Sequence, residues 1–224
     1  FKSPLMMGKD YLERIRNLLN QTKFEQVIQE IEILDKKESL TEAQFFLYKA
    51  SALLAIGKRK SADKNWRSFL KRFPLHPQKH NIQFKVARNL WNLDRNKEAA
   101  ELFENIAKNK NNSHLSPKAR HFLGRVYQTS GKLDEAIAEF EILITQFSKN
   151  KYAQEARWRI GFLRYLQKDF VVAEKRFQAN YKQFPTGLLA EANLYWRGKA
   201  LERLGQTGLA EKIYMDLNAR FPYR

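Results

Sequence analysis

The chain has 224 residues, contains no cysteine, and has a formal net charge of +17 from 41 lysine and arginine residues against 24 carboxylates. The lack of cysteine excludes disulfides, a thiol nucleophile and a thiolate metal site, and no apolar run reaches the roughly 18 residues that span a bilayer. The charge predicts an anionic partner, but basic residues are spread along the chain without an RNA-binding signature, which argues against nucleic acid.

Small residues recur along the chain at a nearly fixed interval, which is 35 residues once and then 37 residues four times. These residues are Val27, Ala62, Ala99, Ala136, Ala173 and Ala210. Such a period is typical of arrays in which one helical hairpin packs on the next. We therefore predict an all-α chain of about six helix-turn-helix repeats. Their predicted bounds are 9–38, 41–74, 78–110, 116–148, 152–185 and 188–222.

Two further columns of residues follow the same period. Twelve residues before each small residue, the chain has Ile15, Ala50, Ala87, Gly124, Gly161 and Gly198. Four residues after each small residue, it has Ile31, Trp66, Phe103, Phe140, Phe177 and Tyr214. A column of mostly small residues and a column of bulky ones predict close packing of two helices within each repeat.

Turn-forming residues mark the ends of the predicted helices. Five residues before each small residue lie Thr22, Gly57, Asp94, Gly131, Lys168 and Gly205. Twelve residues after each small residue lie Ser39, Pro74, Asn111, Ser148, Pro185 and Pro222. The first column predicts the turn inside each repeat, and the second predicts the exit from it. In repeat four, Ser116 followed by Pro117 predicts an N-cap and the first turn of a helix.

This order of small, large, turn and proline positions resembles the tetratricopeptide repeat. The likeness is clearest in repeat four, where the family's Gly, Tyr, Ala and Phe positions hold Gly124, Tyr127, Ala136 and Phe140. The period of 37 residues departs from the family's usual length of about 34. The resemblance implies one right-handed α-solenoid over residues 1–224. The alternative is an irregular helical bundle.

No arrangement of residues in the sequence predicts catalysis. His76 and His80 are four residues apart, but Pro77 lies between them and no glutamate follows His76 as in the HExxH motif of zinc proteases. The sequence contains no Gly-rich phosphate loop and no GxSxG motif. We therefore predict a non-catalytic chain without a metal site or a cofactor.

The first helices of the repeats are predicted to carry a binding groove, at positions 15, 11 and 8 residues before each small residue. In repeats three to six these positions hold aromatic residues beside cations, which suits stacking on sugar rings or peptide side chains and pairing with carboxylates. The predicted binding residues are Arg88, Trp91, His121, Arg125, Gln128, Trp158, Tyr165, Tyr195 and Lys199. The alternative, which we favour for Phe84 and Phe162, is that the aromatic residues pack between repeats.

A narrower resemblance covers mainly repeats five and six, and its motif lies in the last repeat. It contains YWRGKAL at residues 195–201, LG at 204–205 and FP at 221–222. This order resembles the α-superhelical region of soluble lytic transglycosylases, although Lys199 stands where that family usually has arginine. The resemblance implies a non-catalytic scaffold that holds peptidoglycan in the periplasm for a lysozyme-like catalytic domain beyond Arg224.

Two other functions stay open. An adaptor in cell-envelope assembly would bind a peptide or a partner protein in the same groove, and an RNA-binding repeat protein would depend on the positive charge alone. The chain begins with Phe1 in place of an initiating methionine, and no capping helix follows Pro222. Both features predict that the natural polypeptide extends beyond this segment. The sequence leaves the oligomeric state open.

Overall fold

A computed structural model describes residues 4–36, 42–109 and 114–222 of the chain. These residues form twelve α-helices and no β-strand, and none of the helices is long and apolar enough to cross a membrane. The helices are α1 (Pro4–Asn20), α2 (Phe24–Lys36), α3 (Ala43–Ala55), α4 (Arg59–Arg72), α5 (Lys79–Asn92), α6 (Asn96–Lys108), α7 (Ser116–Thr129), α8 (Leu133–Gln146), α9 (Lys151–Leu166), α10 (Phe170–Gln183), α11 (Ala190–Arg203) and α12 (Thr207–Arg220).

The helices are organised as six pairs that coincide with the predicted repeats. A turn of three residues joins the two helices of each pair. The prediction of an all-α repeat fold is therefore confirmed. The first helix of repeat one starts at Pro4 rather than near residue 9. Odd-numbered helices are the first helices of the repeats, and even-numbered helices are the second helices.

The chain divides into two compact units, residues 1–102 and 103–224. The division falls inside α6, in repeat three. We refer to the two parts as the N-terminal unit and the C-terminal unit.

The small and large columns meet inside the repeats, as the sequence predicts. A methyl group placed on Gly124 would lie 2.6 Å from Cε1 of Phe140, and one placed on Gly161 would lie 2.8 Å from Cε1 of Phe177. Both phenylalanine rings are fully buried. Glycine therefore allows the ring on the second helix to lie directly against the backbone of the first helix, where any side chain would overfill the space.

Repeat one reaches the same packing with different residues. Ile15 and Val27 stand where all five other repeats have Ala or Gly, and Ile31 stands where all five have an aromatic residue. All three are buried in one apolar cluster with Leu34. Because Ile31 is smaller than a ring, the larger Ile15 fits opposite it at a similar total volume.

The turn inside each repeat contains a residue in the left-handed conformation. All six predicted turn residues have a positive φ angle, from 57° at Thr22 to 76° at Gly57. Glycine adopts this conformation without steric strain, whereas a residue with a Cβ atom does not. The predicted turn column is thus confirmed, including Asp94 and Lys168, where no glycine marks it.

The described exit residues also lie where the sequence predicts. Each stands two residues beyond the end of a second helix. They are Pro74, Ser148, Pro185 and Pro222. The remaining two predicted exit positions, Ser39 and Asn111, lie outside the described residues.

The predicted N-cap of repeat four needs a correction. Ser116 is the first residue of α7, and the residue in the cap position is Leu115. The hydroxyl of Ser116 donates a hydrogen bond to the carbonyl oxygen of Ala107 at 2.7 Å. Ser116 therefore satisfies a carbonyl at the end of α6 instead of an amide at the start of its own helix.

Replacing Lys168 with glycine is expected to raise the free energy of unfolding by about 1 kcal/mol. Lys168 has a φ angle of 64°, and relief of the Cβ strain should exceed the larger unfolded-state entropy of glycine. Urea denaturation measures the change. The reverse substitution at the equivalent turn, Gly131→Lys, where φ is 75°, should destabilise the chain by a similar amount. A loss of stability in Lys168→Gly would contradict the prediction.

Candidate functional site

The first helices of the C-terminal unit lie side by side, and α9 contacts both α7 and α11. These three helices carry seven of the nine predicted binding residues. On α7 lie His121, Arg125 and Gln128, on α9 lie Trp158 and Tyr165, and on α11 lie Tyr195 and Lys199.

Five aromatic side chains on α9 and α11 form one cluster, which we call the aromatic face. Trp158 and Phe162 stack with their ring centroids 5.3 Å apart and their planes at 7°. Trp196 lies at the centre, and its ring meets Phe162, Tyr165 and Tyr195 edge to face at 4.7, 5.2 and 5.6 Å. The structure thus brings three predicted binding residues together across two repeats.

The aromatic face is part of the packing between repeats and also part of the surface. Tyr195 is 44% exposed, and the other four rings are half-buried. The indole Nε1 of Trp158 is buried and has no hydrogen-bond partner among the described residues. Edge-to-face contacts are favourable for aromatic rings, and they pack Tyr195 against Trp196 while part of its ring faces solvent.

Trp196 is absent from the predicted groove columns. It lies 14 residues before Ala210. At the same position in repeat two stands Tyr48, whose hydroxyl accepts a hydrogen bond at 3.1 Å from Nε of Arg16 in the preceding repeat. A large side chain at this position therefore reaches back to the preceding repeat, and this column is the sequence signal that locates Trp196.

A network of charged and polar side chains joins repeats four and five. His121 is buried, and its Nε2 lies 3.0 Å from Oε2 of Glu155. Arg159 donates from Nη2 to Oε1 of Glu155 at 2.6 Å and from Nη1 to Oε1 of Gln128 at 3.1 Å. The His121 ring beside it, together with the hydrogen bonds and positive charge of Arg159, lowers the pKa of Glu155 to about 2. Two predicted binding residues, His121 and Gln128, are thus engaged within the protein.

The two predicted cations of the C-terminal unit have different surroundings. Lys199 donates from Nζ to Oε2 of Glu202 at 2.7 Å, and this hydrogen bond raises the pKa of Lys199. Both side chains are more than a third exposed, so water screens the pair and a ligand carboxylate can replace Glu202. The guanidinium of Arg125 lies 5.8 Å from the ring centroid of Phe122.

The other two predicted binding residues, Arg88 and Trp91, lie on α5 in the N-terminal unit. Arg88 is exposed and Trp91 is half-buried. Because they are three residues apart, they are neighbours on the surface of that helix.

The two histidines with zinc-motif spacing have separate partners. Nδ1 of His76 accepts a hydrogen bond from the amide of Gln78 at 3.1 Å, and Nδ1 of His80 lies 2.9 Å from Oε1 of Gln83. In the parts of the chain that the structure describes, no group of three or more histidine and carboxylate side chains could hold a metal ion.

This geometry defines the class of α-helical repeat proteins, in which successive hairpins pack on one another. Family models described as tetratricopeptide repeat match residues 84–151, 123–187 and 192–222. The matches together cover more than half of the chain, which therefore belongs to the tetratricopeptide repeat family. Repeats of this family typically bind protein partners and are generally non-catalytic scaffolds.

Solved structures of repeat proteins are similar to the chain. The C-terminal part of a TPR repeat-containing protein from Cytophaga hutchinsonii has a TM-score of 0.72 at 14% identity, over 93% of this chain and 78% of that one. BtubC from P. vanneervenii has a TM-score of 0.65 at 13% identity, over 94% and 93% of the two chains. MamA (41-end) from Desulfovibrio magneticus RS-1 has a TM-score of 0.62 at 14% identity, over 81% and 97%. At these identities the likeness shows the fold alone. Among curated proteins, no match to the chain is found.

Proposed function

We propose that the chain is a protein-interaction scaffold whose aromatic face binds a peptide with carboxylates beside apolar or aromatic side chains. One observation carries the proposal: the ring cluster around Trp196 reaches solvent at Tyr195, four residues before Lys199 on α11. Residues at this spacing are neighbours on a helix surface. A peptide side chain can therefore stack on Tyr195 while an adjacent carboxylate pairs with Lys199.

The charge of the whole chain supports an acidic ligand. The net charge of +17 attracts acidic segments over a longer range than the contact itself and increases the rate of encounter. The contacts of Tyr195 with Trp196 place its ring before a peptide binds, which reduces the entropy lost on binding. The proposed ligand is thus selected by charge at a distance and by ring contacts at close range.

Replacing both Tyr195 and Lys199 with alanine is expected to weaken peptide binding by about tenfold or more. Panning a random peptide library on the wild-type chain should enrich sequences with Asp or Glu next to aromatic or large apolar residues. Fluorescence anisotropy of an enriched peptide then gives Kd for the wild type and the variant. Tyr195 is 44% exposed and Lys199 lies at the surface, so we expect the double variant to keep its fold, which circular dichroism checks.

The control for this experiment is Lys175→Ala. Lys175 is exposed on the second helix α10, so its removal changes the net charge without touching the aromatic face. It should bind the enriched peptide within about twofold of the wild type. An equal loss in the control, or enrichment of peptides without acidic residues, would contradict the proposal.

A peptidoglycan-binding scaffold of a lytic transglycosylase is the second candidate function. It is supported by the likeness of residues 195–222 to the superhelical region of those enzymes, a stretch that includes Tyr195 and Lys199 of the proposed site. Aromatic rings suit sugar rings, and a lysine suits the carboxylates of stem peptides. Under this candidate the chain works in the periplasm, as it also would as an adaptor in cell-envelope assembly.

Purified sacculi test the second candidate. The wild-type chain should be retained on them at physiological salt, and the Tyr195 and Lys199 double variant should be retained less. A wild-type chain that passes unretained would exclude a peptidoglycan role, and the peptide experiment would still decide the first proposal.

A further inference from the structure

A second candidate binding surface lies in the N-terminal unit. A groove of about 940 Å³ opens between α2 and α4, the second helices of repeats one and two. Its floor is formed by α3 and the turn that follows it, with Phe46, Leu53 and Ile56. This volume falls within the range of ligand sites in proteins.

The two walls of this groove have opposite charge, and we call it the charged groove. The α2 wall presents carboxylates, and the α4 wall with its N-cap presents cations. The carboxylates are Glu25, Glu32 and Asp35, and the cations are Lys58, Lys64, Lys71 and Arg72. The walls approach each other in an ion pair at one end, where Nη1 of Arg72 lies 3.9 Å from Oδ1 of Asp35.

In repeats four and five, two hydrogen bonds join the equivalent helices, α8 and α10. Nη2 of Arg176 on α10 donates to Oε1 of Glu141 on α8 at 2.8 Å. Nε2 of Gln167, in the turn before α10, donates to Oδ1 of Asp134 at 2.9 Å. These two bonds link the second helices of consecutive repeats.

Repeats one and two have neither of these hydrogen bonds. At the position of Arg176 stands Asn65, which is shorter and donates from Nδ2 to the carbonyl oxygen of Phe46 on the floor at 2.6 Å. At the position of Glu141 stands Glu32, which pairs with Nζ of Lys49 on the floor at 3.1 Å. The charged groove is open at this point because both side chains turn to the floor.

The second hydrogen bond, which Gln167 makes in repeat five, is absent from repeat two because the residue type differs. Where repeat five has Gln167, repeat two has Ile56, which cannot donate a hydrogen bond. Where repeat four has Asp134, repeat one has Glu25. In the described part of the chain, the carboxylate of Glu25 has no ion pair and no hydrogen bond. The charged groove therefore has walls whose charges are not neutralised across it, except at the Arg72 end.

We propose that the charged groove binds an α-helix of a protein partner that carries basic residues along one edge, acidic residues along the other and apolar residues between them. Glu25 and Glu32 are seven residues apart on one wall, and so are Lys64 and Lys71 on the other. Seven residues are two helical turns, about 10 Å. On a partner helix that lies along the groove, residues seven apart also share one face. Its charged side chains can therefore pair with the charges of both walls.

The charge pattern also disfavours one class of partner inside the groove. A uniformly acidic polymer, nucleic acid included, would gain from the α4 wall and be repelled by the carboxylates of the α2 wall. The groove thus discriminates by repulsion as well as by attraction, although the chain as a whole is strongly basic. This inference concerns the N-terminal unit and is independent of the peptide site proposed on α9 and α11.

Two synthetic peptides test the proposal. Each has about 20 residues on an alanine-rich background, a length at which an isolated helix forms. The dipolar peptide has a leucine stripe with lysines at the groove spacing on one edge and glutamates on the other. The acidic peptide has glutamate on both edges. Fluorescence anisotropy is measured with the full chain carrying Tyr195→Ala and Lys199→Ala, which removes the site proposed for acidic peptides. In this parent chain the dipolar peptide should bind at least about tenfold more tightly than the acidic peptide.

Two variants of the groove localise the binding. Asn65→Arg should form an ion pair with Glu32, as Arg176 does with Glu141, and close the groove. The double reversal Lys64→Glu with Lys71→Glu should make both walls acidic. Each should weaken binding of the dipolar peptide by about tenfold. The control reverses the lysines at the equivalent positions of repeat five, Lys175→Glu with Lys182→Glu, which are also exposed. That control should keep the Kd of the parent chain.

The proposal is overturned if the two peptides bind equally well, or if the double reversal of Lys64 and Lys71 leaves the Kd unchanged. Lys64 and Lys71 are exposed, so their reversal leaves the core intact and the experiment gives an answer even where Asn65→Arg disturbs the bond to Phe46. Thermal unfolding of each variant confirms that the N-terminal unit is folded.

Discussion

Replacing Gly161 with leucine is expected to lower the free energy of unfolding by about 3 kcal/mol. Even a methyl group on Gly161 would lie 2.8 Å from Cε1 of Phe177, the ring that packs against it from α10. Phe177 is fully buried, so its ring cannot move aside without displacing its own neighbours. Leucine adds further carbons to a space that one carbon already overfills. Urea denaturation followed by circular dichroism measures the loss.

Two companion variants separate this effect from a general intolerance of leucine. Gly208 lies in the first turn of α12, and no atom would come within 4 Å of a Cβ there, so Gly208→Leu should change stability by less than about 1 kcal/mol. Phe177→Ala combined with Gly161→Leu should recover part of the loss, because the two sites share one space. A stable Gly161→Leu chain would contradict the packing described for repeat five.

The repeat fold is predictable from the sequence because each hairpin meets equivalent neighbours. The same pair of positions brings Gly124 against Phe140 and Gly161 against Phe177, so one column of residues reports one contact many times. The turn column works in the same way. It predicted a turn at Lys168 although a lysine gives no sign of one, and the structure shows that this residue is left-handed. The columns do not predict the division into two units within α6, because Ala99 and Phe103 on either side of it hold the usual small and large residues.

The candidate site is less predictable because a column gives the face of a helix and not the side chain that covers it. His121 and Tyr195 occupy the same position in repeats four and six. His121 is buried, with Glu155 from the next repeat against its ring, whereas Tyr195 is 44% exposed. His121 is covered by a residue of the following repeat, whereas no described repeat follows Tyr195, so the column by itself cannot separate the two cases.

The charged groove has a sequence signal of the same kind. It depends on the change from Arg176 to Asn65 at equivalent positions, three residues after the small residue of the second helix. The change has meaning only together with its partner column, where Glu141 corresponds to Glu32. The groove is therefore visible only in pairs of columns that touch across consecutive repeats, and not in a single column.

Replacing Glu155 with glutamine is expected to lower the free energy of unfolding by about 2 kcal/mol at neutral pH. Glu155 lies 3.0 Å from Nε2 of the buried His121 and accepts hydrogen bonds from Arg159. Glutamine keeps the size of the side chain but removes the charge opposite both groups. The side chain of Glu155 is 35% exposed, so we expect less than the full loss that breaking a completely buried pair would cause.

The deficit of Glu155→Gln should shrink as the pH falls. The pKa of Glu155 is lowered from its ordinary value of 4.5 to about 2 in the folded chain, so the folded state binds this proton less readily than the unfolded state. The stabilisation from Glu155 is therefore complete above about pH 4.5 and is lost as the pH falls through about 2. Urea midpoints across this window for the wild type and the variant measure it.

The exposed Glu211 on α12 provides the control, since Glu211→Gln should change stability by less than about 0.5 kcal/mol at every pH. Acid destabilises the wild type and both variants through their other carboxylates, so the informative quantity is the difference between curves. A Glu155→Gln deficit that stays constant down to the lowest pH would mean that shape, and not charge, holds repeats four and five together at this joint.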